Sequence, residues 1–421
     1  MCLPEIDRAR RWMFRTALPF WADAGVDRVH GGFHEALDLH GRPAGTDFRR
    51  LRVTCRQIYV HAHSATLGFS AGLPAARRGF EYLVSKAWLG GDKGWARLLT
   101  PRGDVSDGAP DLYDHAFVLF ALGWLHRAGG DPEPIAWAHR TLDFLEARMR
   151  HPTAPGFLHV RPAVGWRLQN PHMHLLEAAL CLYEATGGAR FADLAHELVE
   201  LFTTRFFDVR TGTLGECFTE DLARAPGEAG RRVEPGHHFE WAWLLASHQR
   251  LLGTPVGEVA RRLVAFAERH GVHPESGATF NAVREDGAPL DRGSRTWPNT
   301  ERIKAHIALF ELDGTDPRTP IAQSTRLLLD RYLAHHPAGT WLDHFDGDGR
   351  PIADTIPAGT LYHLFVAFAE LWRVEPALRA LPTAPDRHQP RAPRPLVPSE
   401  RVGSLDRVVR RSSEGSVRVK S

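Results

Sequence analysis

The sequence predicts an all-α protein, an (α/α)6 barrel of twelve helices in six hairpins with short β-hairpin loops. Three observations predict it. A glycine-led pattern recurs roughly every sixty residues, two apolar-periodic runs separate successive copies, and alternate runs differ in how far the apolar residues wrap around the helix.

The recurring pattern reads GGFHEALDLHGRP (31–43), KGWARLLTPRGDV (93–105), PGFLHVRPAVGWR (155–167), GTLGECFTEDLAR (212–224), GATFNAVREDGAP (277–289) and GTWLDHFDGDGRP (339–351). Its glycines, at 32, 94, 156, 212, 277 and 339, step by 62, 62, 56, 65 and 62. Each copy alternates apolar and polar residues and ends in a turn, which is the texture of a short hairpin. Strand content should therefore be small.

The helical runs cover roughly 5–22, 49–69, 73–88, 113–128, 133–149, 171–186, 189–205, 237–252, 256–270, 300–313, 318–335 and 359–374. Runs such as LLEAALCLYEATG and HLFVAFAELW are apolar almost all round, so they belong inside. Their partners, such as 133–149 and 256–270, carry Arg/Glu faces and belong outside. Neither the first nor the last helix reads as the polar cap that an open solenoid needs, which favours closure.

Residues 1–381 form the expected catalytic barrel; 382–421 read as a disordered, basic Pro/Arg-rich tail. The tail holds nine Arg/Lys and four Asp/Glu, while the whole chain of 421 residues carries only +2, which argues against a nucleic-acid surface. No apolar stretch is long enough to span a membrane, and the N-terminus lacks the apolar run of a signal peptide. The expected location is cytoplasmic. Four cysteines show no CxxC spacing. Histidine is abundant, at 24 residues, while Lys occurs only at 86, 93, 304 and 420.

Polar residues gather at the starts of the inner helices. Arg56, His115, His174, His237, Glu301 and His363 step by 59, 59, 63, 64 and 62, so they should converge on one mouth of the barrel. Asn170 precedes His174 by four residues, Trp297 precedes Glu301 by four, and Glu240 follows His237 by three, so each pair shares a helix face. His237 and His363 are the catalytic candidates. Arg56, His115, Asn170, His174, Glu240, Trp297 and Glu301 are the candidates for substrate binding. Trp241 and Trp243 read as core. HAH (61–63), HMH (172–174) and HH (237–238) suggest metal ligands, but neighbours at i,i+2 on a helix point apart and no HExxH is present, so no metal site is expected. No P-loop, GxSxG or strand-linked GxGxxG is present. Glu240 and Glu301 leave a glycoside hydrolase open, since that chemistry needs two carboxylates.

The segments GGFHEALDLHG, CRQIYVHAHS, YDHAFVLFAL, NPHMHLLEA, PGHHFEWAWLL, RTWPNTERIKA and TLYHLFVAF resemble the N-acylglucosamine 2-epimerase superfamily, over about residues 5–375. That superfamily includes cellobiose 2-epimerases and mannose isomerases. FEWAWLL and RTWPNTERIKA are similar to the mannose isomerase branch, which includes sulfoquinovose isomerase. The resemblance implies a metal-free barrel acting on the reducing end of a sugar. It implies that Arg56 meets a substrate oxygen and the enediolate, and that Asn170 and His174 meet hydroxyls. Glu240 and Glu301 would support them, and His237 and His363 would be the acid/base pair. Two positions depart from the pattern: Gly359 stands one turn before the last histidine, where some relatives carry a polar residue, and Asn299 stands where Gln is expected.

The chemistry is consistent with these roles. Aldose–ketose isomerisation moves a C2 proton to C1 through a cis-enediolate, which needs a base with a pKa near neutral and a fixed cation. Two His and one Arg suffice without a cofactor. The expected reaction is mannose–fructose isomerisation, with lyxose–xylulose as a side activity. The alternatives are C2 epimerisation of an N-acylhexosamine or a β-1,4-disaccharide, sulfoquinovose isomerisation, glycoside hydrolysis, and a silent binding module. The partner is a small-molecule sugar.

Overall fold

The computed structural model describes residues 3–382. Among them are twelve long helices: α1 (3–23), α2 (Leu51–Thr66), α3 (Gly72–Ala87), α4 (Leu112–Gly129), α5 (133–149), α6 (Asn170–Thr186), α7 (189–206), α8 (Pro235–Leu252), α9 (Gly257–His270), α10 (Thr296–Asp313), α11 (318–332) and α12 (Thr360–Ala380). A single extra turn lies at Glu228–Arg231. The expected tail falls outside the described residues, Pro382 excepted.

The even-numbered helices form the inner ring. Each packs on the next, and α12 returns to pack on α2, so the ring is closed. The odd-numbered helices lie outside it. The difference follows from the pattern of side chains. α9 buries Ala260, Leu263, Val264 and Ala267, which lie on one face, whereas α12 buries every residue from Thr360 to Ala369. Four outer helices, α1, α5, α7 and α11, contain a wider π-helical turn. α4, α6, α8 and α10 each stop at a left-handed glycine: Gly130, Gly187, Gly253 and Gly314.

Closure is reinforced in the loops. Strand Ala36–Asp38 pairs antiparallel with Thr355–Pro357, joining the first loop to the last. Trp21 of α1 stacks on Trp341 at 5.0 Å and donates to the Gly339 carbonyl at 3.1 Å. Truncating either buried indole to Ala costs about 3–5 kcal/mol. The strands are short, as the pattern implies. Some pair within one copy, as Ala282–Arg284 does with Pro289–Asp291; others link separate loops, as Arg167–Leu168 does with Cys217–Phe218.

One recurring device ties four of the six hairpins to an inner helix. His115, His172 and His238 each accept a backbone N–H through Nε2, from Trp95 (3.2 Å), Phe157 (3.0 Å) and Leu214 (3.2 Å). Asn299 does the same for Thr279 through Oδ1 at 2.9 Å. Gly94 and Gly156 precede two of these donors with positive φ, and a Cβ there would meet the imidazole Nε2 at 2.6 and 3.0 Å. His115 is thus corrected from a candidate for substrate binding to a structural residue. Its other nitrogen, Nδ1, donates to the Asp111 carbonyl at 2.7 Å, and its ring stacks on Phe144. Burial holds its pKa down at about 4, so it stays neutral as this bond requires.

Candidate active site

A cavity of about 470 Å³ opens at the N-terminal ends of the inner helices. Arg56, Asn170, His174, His237, Glu240, Trp297 and His363 all line it. Glu301 lies directly behind His363 and is fully buried. Eight of the nine candidates from the sequence therefore gather at one place, and His115 does not. No helix among the described residues is long and apolar enough to cross a membrane.

Arg56 projects from α2. One guanidinium nitrogen donates to the Tyr113 hydroxyl at 2.9 Å, and the group lies over the rings of Phe117 and Tyr362 at 4.3 and 4.9 Å. Its buried Nε has no partner among the described residues. A guanidinium set against aromatic faces rather than a carboxylate keeps its charge available to a ligand oxygen. Gly359 makes room for it: a Cβ there would meet Arg56 Nη1 at 3.2 Å. The departure noted at this position is thus filled by the arginine itself.

His237, near the start of α8, bonds through Nδ1 to Glu216 Oε2 at 2.9 Å, with Glu234 at 3.8 Å. Burial opposes a charge on the imidazole, but Glu216 outweighs it, with Glu234 and Glu240 adding to the effect, and the pKa rises to about 9. His237 is therefore a cation at neutral pH. His363, on α12, bonds through Nδ1 to Glu301 Oε1 at 2.9 Å. Burial, reinforced by Arg56 and Lys304, pushes its pKa well below 6.5, so it is neutral. Trp297 stands between the two imidazoles, with ring centroids 5.0 and 5.7 Å away.

His174 bonds through Nδ1 to Glu177 at 3.1 Å, and the Tyr362 hydroxyl donates to the same carboxylate at 2.5–2.6 Å. Burial brings His174 down to about 4, so it too is neutral and can meet a hydroxyl. Asn170 begins α6, beside it in the cavity wall.

Four residues that sequence reasoning missed complete the arrangement: Tyr113, Glu177, Glu216 and Lys304. Glu177 had a local signal, being three residues after His174. Glu216 sits within a repeat copy whose alternation hid it as a hairpin residue. Nothing local marked Tyr113 or Lys304.

Chemically the cavity offers two neutral imidazoles, one imidazolium and a guanidinium that no carboxylate holds. A second cavity of about 580 Å³ includes Trp124, Trp243 and Trp372 in its wall. Its charged groups are already paired, Arg127 with Glu184 at 2.6 Å and Arg373 with Glu370 at 2.7 Å.

Comparison with known proteins places the chain in a family. The family model described as N-acylglucosamine 2-epimerase (GlcNAc 2-epimerase) matches residues 31–367. The chain is 35% identical to the mannose-6-phosphate isomerase of Rhizobium meliloti (strain 1021), covering 86% of this chain and 95% of that one. It is 27% identical to the D-mannose isomerase of Thermobifida fusca, covering 78% and 91%. Among solved structures, the cellobiose 2-epimerase from Spirochaeta thermophila DSM 6192 superposes with a TM-score of 0.78 at 25% identity, covering 89% of this chain and 97% of that one. The chain belongs to the N-acylglucosamine 2-epimerase family and is a sugar isomerase or epimerase of (α/α)6 architecture.

Proposed function

We propose that this enzyme interconverts mannose and fructose by proton transfer through a cis-enediolate, with no metal. The observation that carries this reading is the pair of imidazoles on either side of Trp297, each bonded through Nδ1 to a buried carboxylate, with Glu216 raising the pKa of His237 and burial lowering that of His363.

The steps follow from those states. His237 protonates the ring oxygen while His363 takes the O1 proton, which opens the pyranose; both histidines then re-equilibrate with water. His363 Nε2 removes the C2 proton, and the electron pair moves through C1 onto O1. Arg56 holds the resulting oxyanion. His363 returns the proton to C1 as the O2 hydroxyl proton passes to O1, leaving a C2 ketone. Asn170 and His174 hold other hydroxyls.

Lys304 supports the metal-free reading. His174, Glu177 and Glu240 form one cluster of ligating atoms, and Glu240, Glu301 and His363 form another. Between them the Lys304 ammonium lies 2.6 Å from Glu301 and 3.9 Å from Glu240, so a cation already neutralises these acids. Hydrolysis is disfavoured by the same packing. Glu301 is fully buried behind His363 and ion-paired with Lys304 at 2.6 Å, whereas a glycosidase needs both carboxyl groups at the scissile bond.

Two further readings have a specific observation behind them. C2 epimerisation would use the same neutral and cationic imidazoles, with the proton returned to the opposite face. The two isomerase relatives favour isomerisation over it. A phosphorylated substrate is favoured by Arg232 and Arg295 at the cavity wall, which share Glu234 at 3.1 and 4.0 Å, and by the name of the Rhizobium relative. The test is initial-rate assay of the full chain, treated with EDTA, on mannose, mannose 6-phosphate, N-acetylmannosamine and cellobiose. Ketose from mannose supports the proposal. Ketose from the phosphate alone moves the substrate, and an aldose epimer as product overturns isomerisation.

A further inference from the structure

We propose that Lys304 is a positioning residue that fixes which nitrogen of His363 faces the cavity. The proposal rests on the reading of His363 as the base.

Lys304 lies on α10, one turn past Glu301, and is fully buried. A buried lysine is an expensive choice in any protein, and this chain uses arginine for nearly every other cation. The ammonium sits 2.6 Å from Glu301 Oε2 and 3.9 Å from Glu240 Oε1, and 4.0 Å over the ring of Trp243. Glu177 of α6 adds a third acid acting on it. These groups are set between helices of the inner ring, so no solvent ion substitutes for the lysine.

The carboxylates compete for protons. Burial and the neighbouring Glu301 push Glu240 well above the ordinary carboxylate range. Burial pushes Glu301 up as well, but the contact with Lys304 opposes it. The closer contact makes Glu301 the charged member and leaves the proton on Glu240. An ionised Glu301 can only accept, so Nδ1 of His363 must donate to it at 2.9 Å. Nε2 is then left as an unprotonated lone pair. Without the ammonium, Glu301 takes up a proton and donates to Nδ1. The proton of the neutral imidazole moves to Nε2, and the base is lost although no atom that touches the sugar has changed. The other groups acting on His363 are Arg56, His174 and Glu177, all of which remain.

The test is ¹⁵N-histidine NMR of the full-length protein, with His363 assigned by difference from His363→Gln. The expected result is an Nδ1–H tautomer in the wild type, an Nε2–H tautomer in Lys304→Met, and no change in Glu240→Gln, which mimics the protonated acid. In Lys304→Met, kcat should fall on the order of 10²–10⁴-fold with KM within about threefold, the size seen when a triad histidine adopts the wrong tautomer. An Nε2–H tautomer in the wild type overturns the proposal. So does a tautomer change in Glu240→Gln, or, in Lys304→Met, an Nδ1–H tautomer or an imidazolium with both nitrogens protonated. If Lys304→Met does not fold, Lys304→Gln, which also removes the charge, gives the same reading. The NMR reading is taken without sugar, so it stands apart from any failure of the wild type to convert mannose.

Discussion

Replacing Glu216 by Gln removes the charge that keeps His237 protonated while preserving the shape of the side chain. Glu216 is buried, accepts from Gln169 at 2.9 Å and from the Glu234 N–H at 3.1 Å, and pairs with His237 at 2.9 Å. It is the main force raising His237 against burial from 6.5 to about 9. At 1.36 kcal/mol per pKa unit, that rise corresponds to roughly 3 kcal/mol. The folded pKa lies above the unfolded one, so this stabilisation is fully present below pH 6.5 and is lost as pH rises through about 9. In Glu216→Gln burial prevails. The alkaline limb of kcat/KM should move from near 9 to about 7 or below, which lowers kcat/KM at pH 8 by roughly tenfold or more. The assay is ketose formation across the pH range at constant ionic strength, alongside thermal unfolding over the same range. The wild type should lose stability between pH 6.5 and about 9, and the variant should not. An alkaline limb that stays within about half a unit of the wild type would falsify the assignment of His237 as the acid held by Glu216.

Other perturbations have distinct signatures. His363→Ala should lower kcat by about 10³-fold or more while the protein still binds a sugar alcohol, as read by calorimetry; retained turnover would remove His363 from the chemistry. His115→Ala should instead cost about 1–3 kcal/mol of stability and leave kcat and KM of the folded fraction near wild type, since it takes a buried acceptor from the Trp95 N–H. Arg295→Gln should change mannose turnover less than about twofold. If a phosphorylated sugar is the substrate, its kcat/KM should fall by about tenfold or more. Dialysis against EDTA should leave activity unchanged; loss restored by one divalent ion would put a metal on the Glu240–Glu301–His363 cluster.

The fold was legible because a period near sixty residues survives in the glycines, and because inner and outer helices differ in how far the apolar residues wrap. Closure showed only weakly in sequence, as the absence of polar capping helices. The direct ties, Trp21 on Trp341 and the strand pair at 36–38 and 355–357, join residues some 300 positions apart. The site was legible through spacing, because residues at one place in each repeat share one end of the ring. Spacing also misled at His115. A shift of one or two residues on an inner helix separates two histidine series: His174 and His237 face the cavity, while His115, His172 and His238 hold the hairpins. A one-residue step turns a helix by about 100°, which is enough to move a side chain from the axis to the outer layer. The protonation states were not legible at all. They depend on Glu216 and Lys304, which reach their histidines through tertiary packing.

The central claim is isomerisation by a histidine that carries a proton from C2 to C1. Proton NMR of the purified full chain with mannose in D2O, without added metal, tests it most directly. Fructose resonances should grow at the expense of mannose, with deuterium at C1 below full occupancy because His363 returns part of the original proton. A mannose spectrum that stays unchanged, or that yields glucose with no fructose, would contradict it.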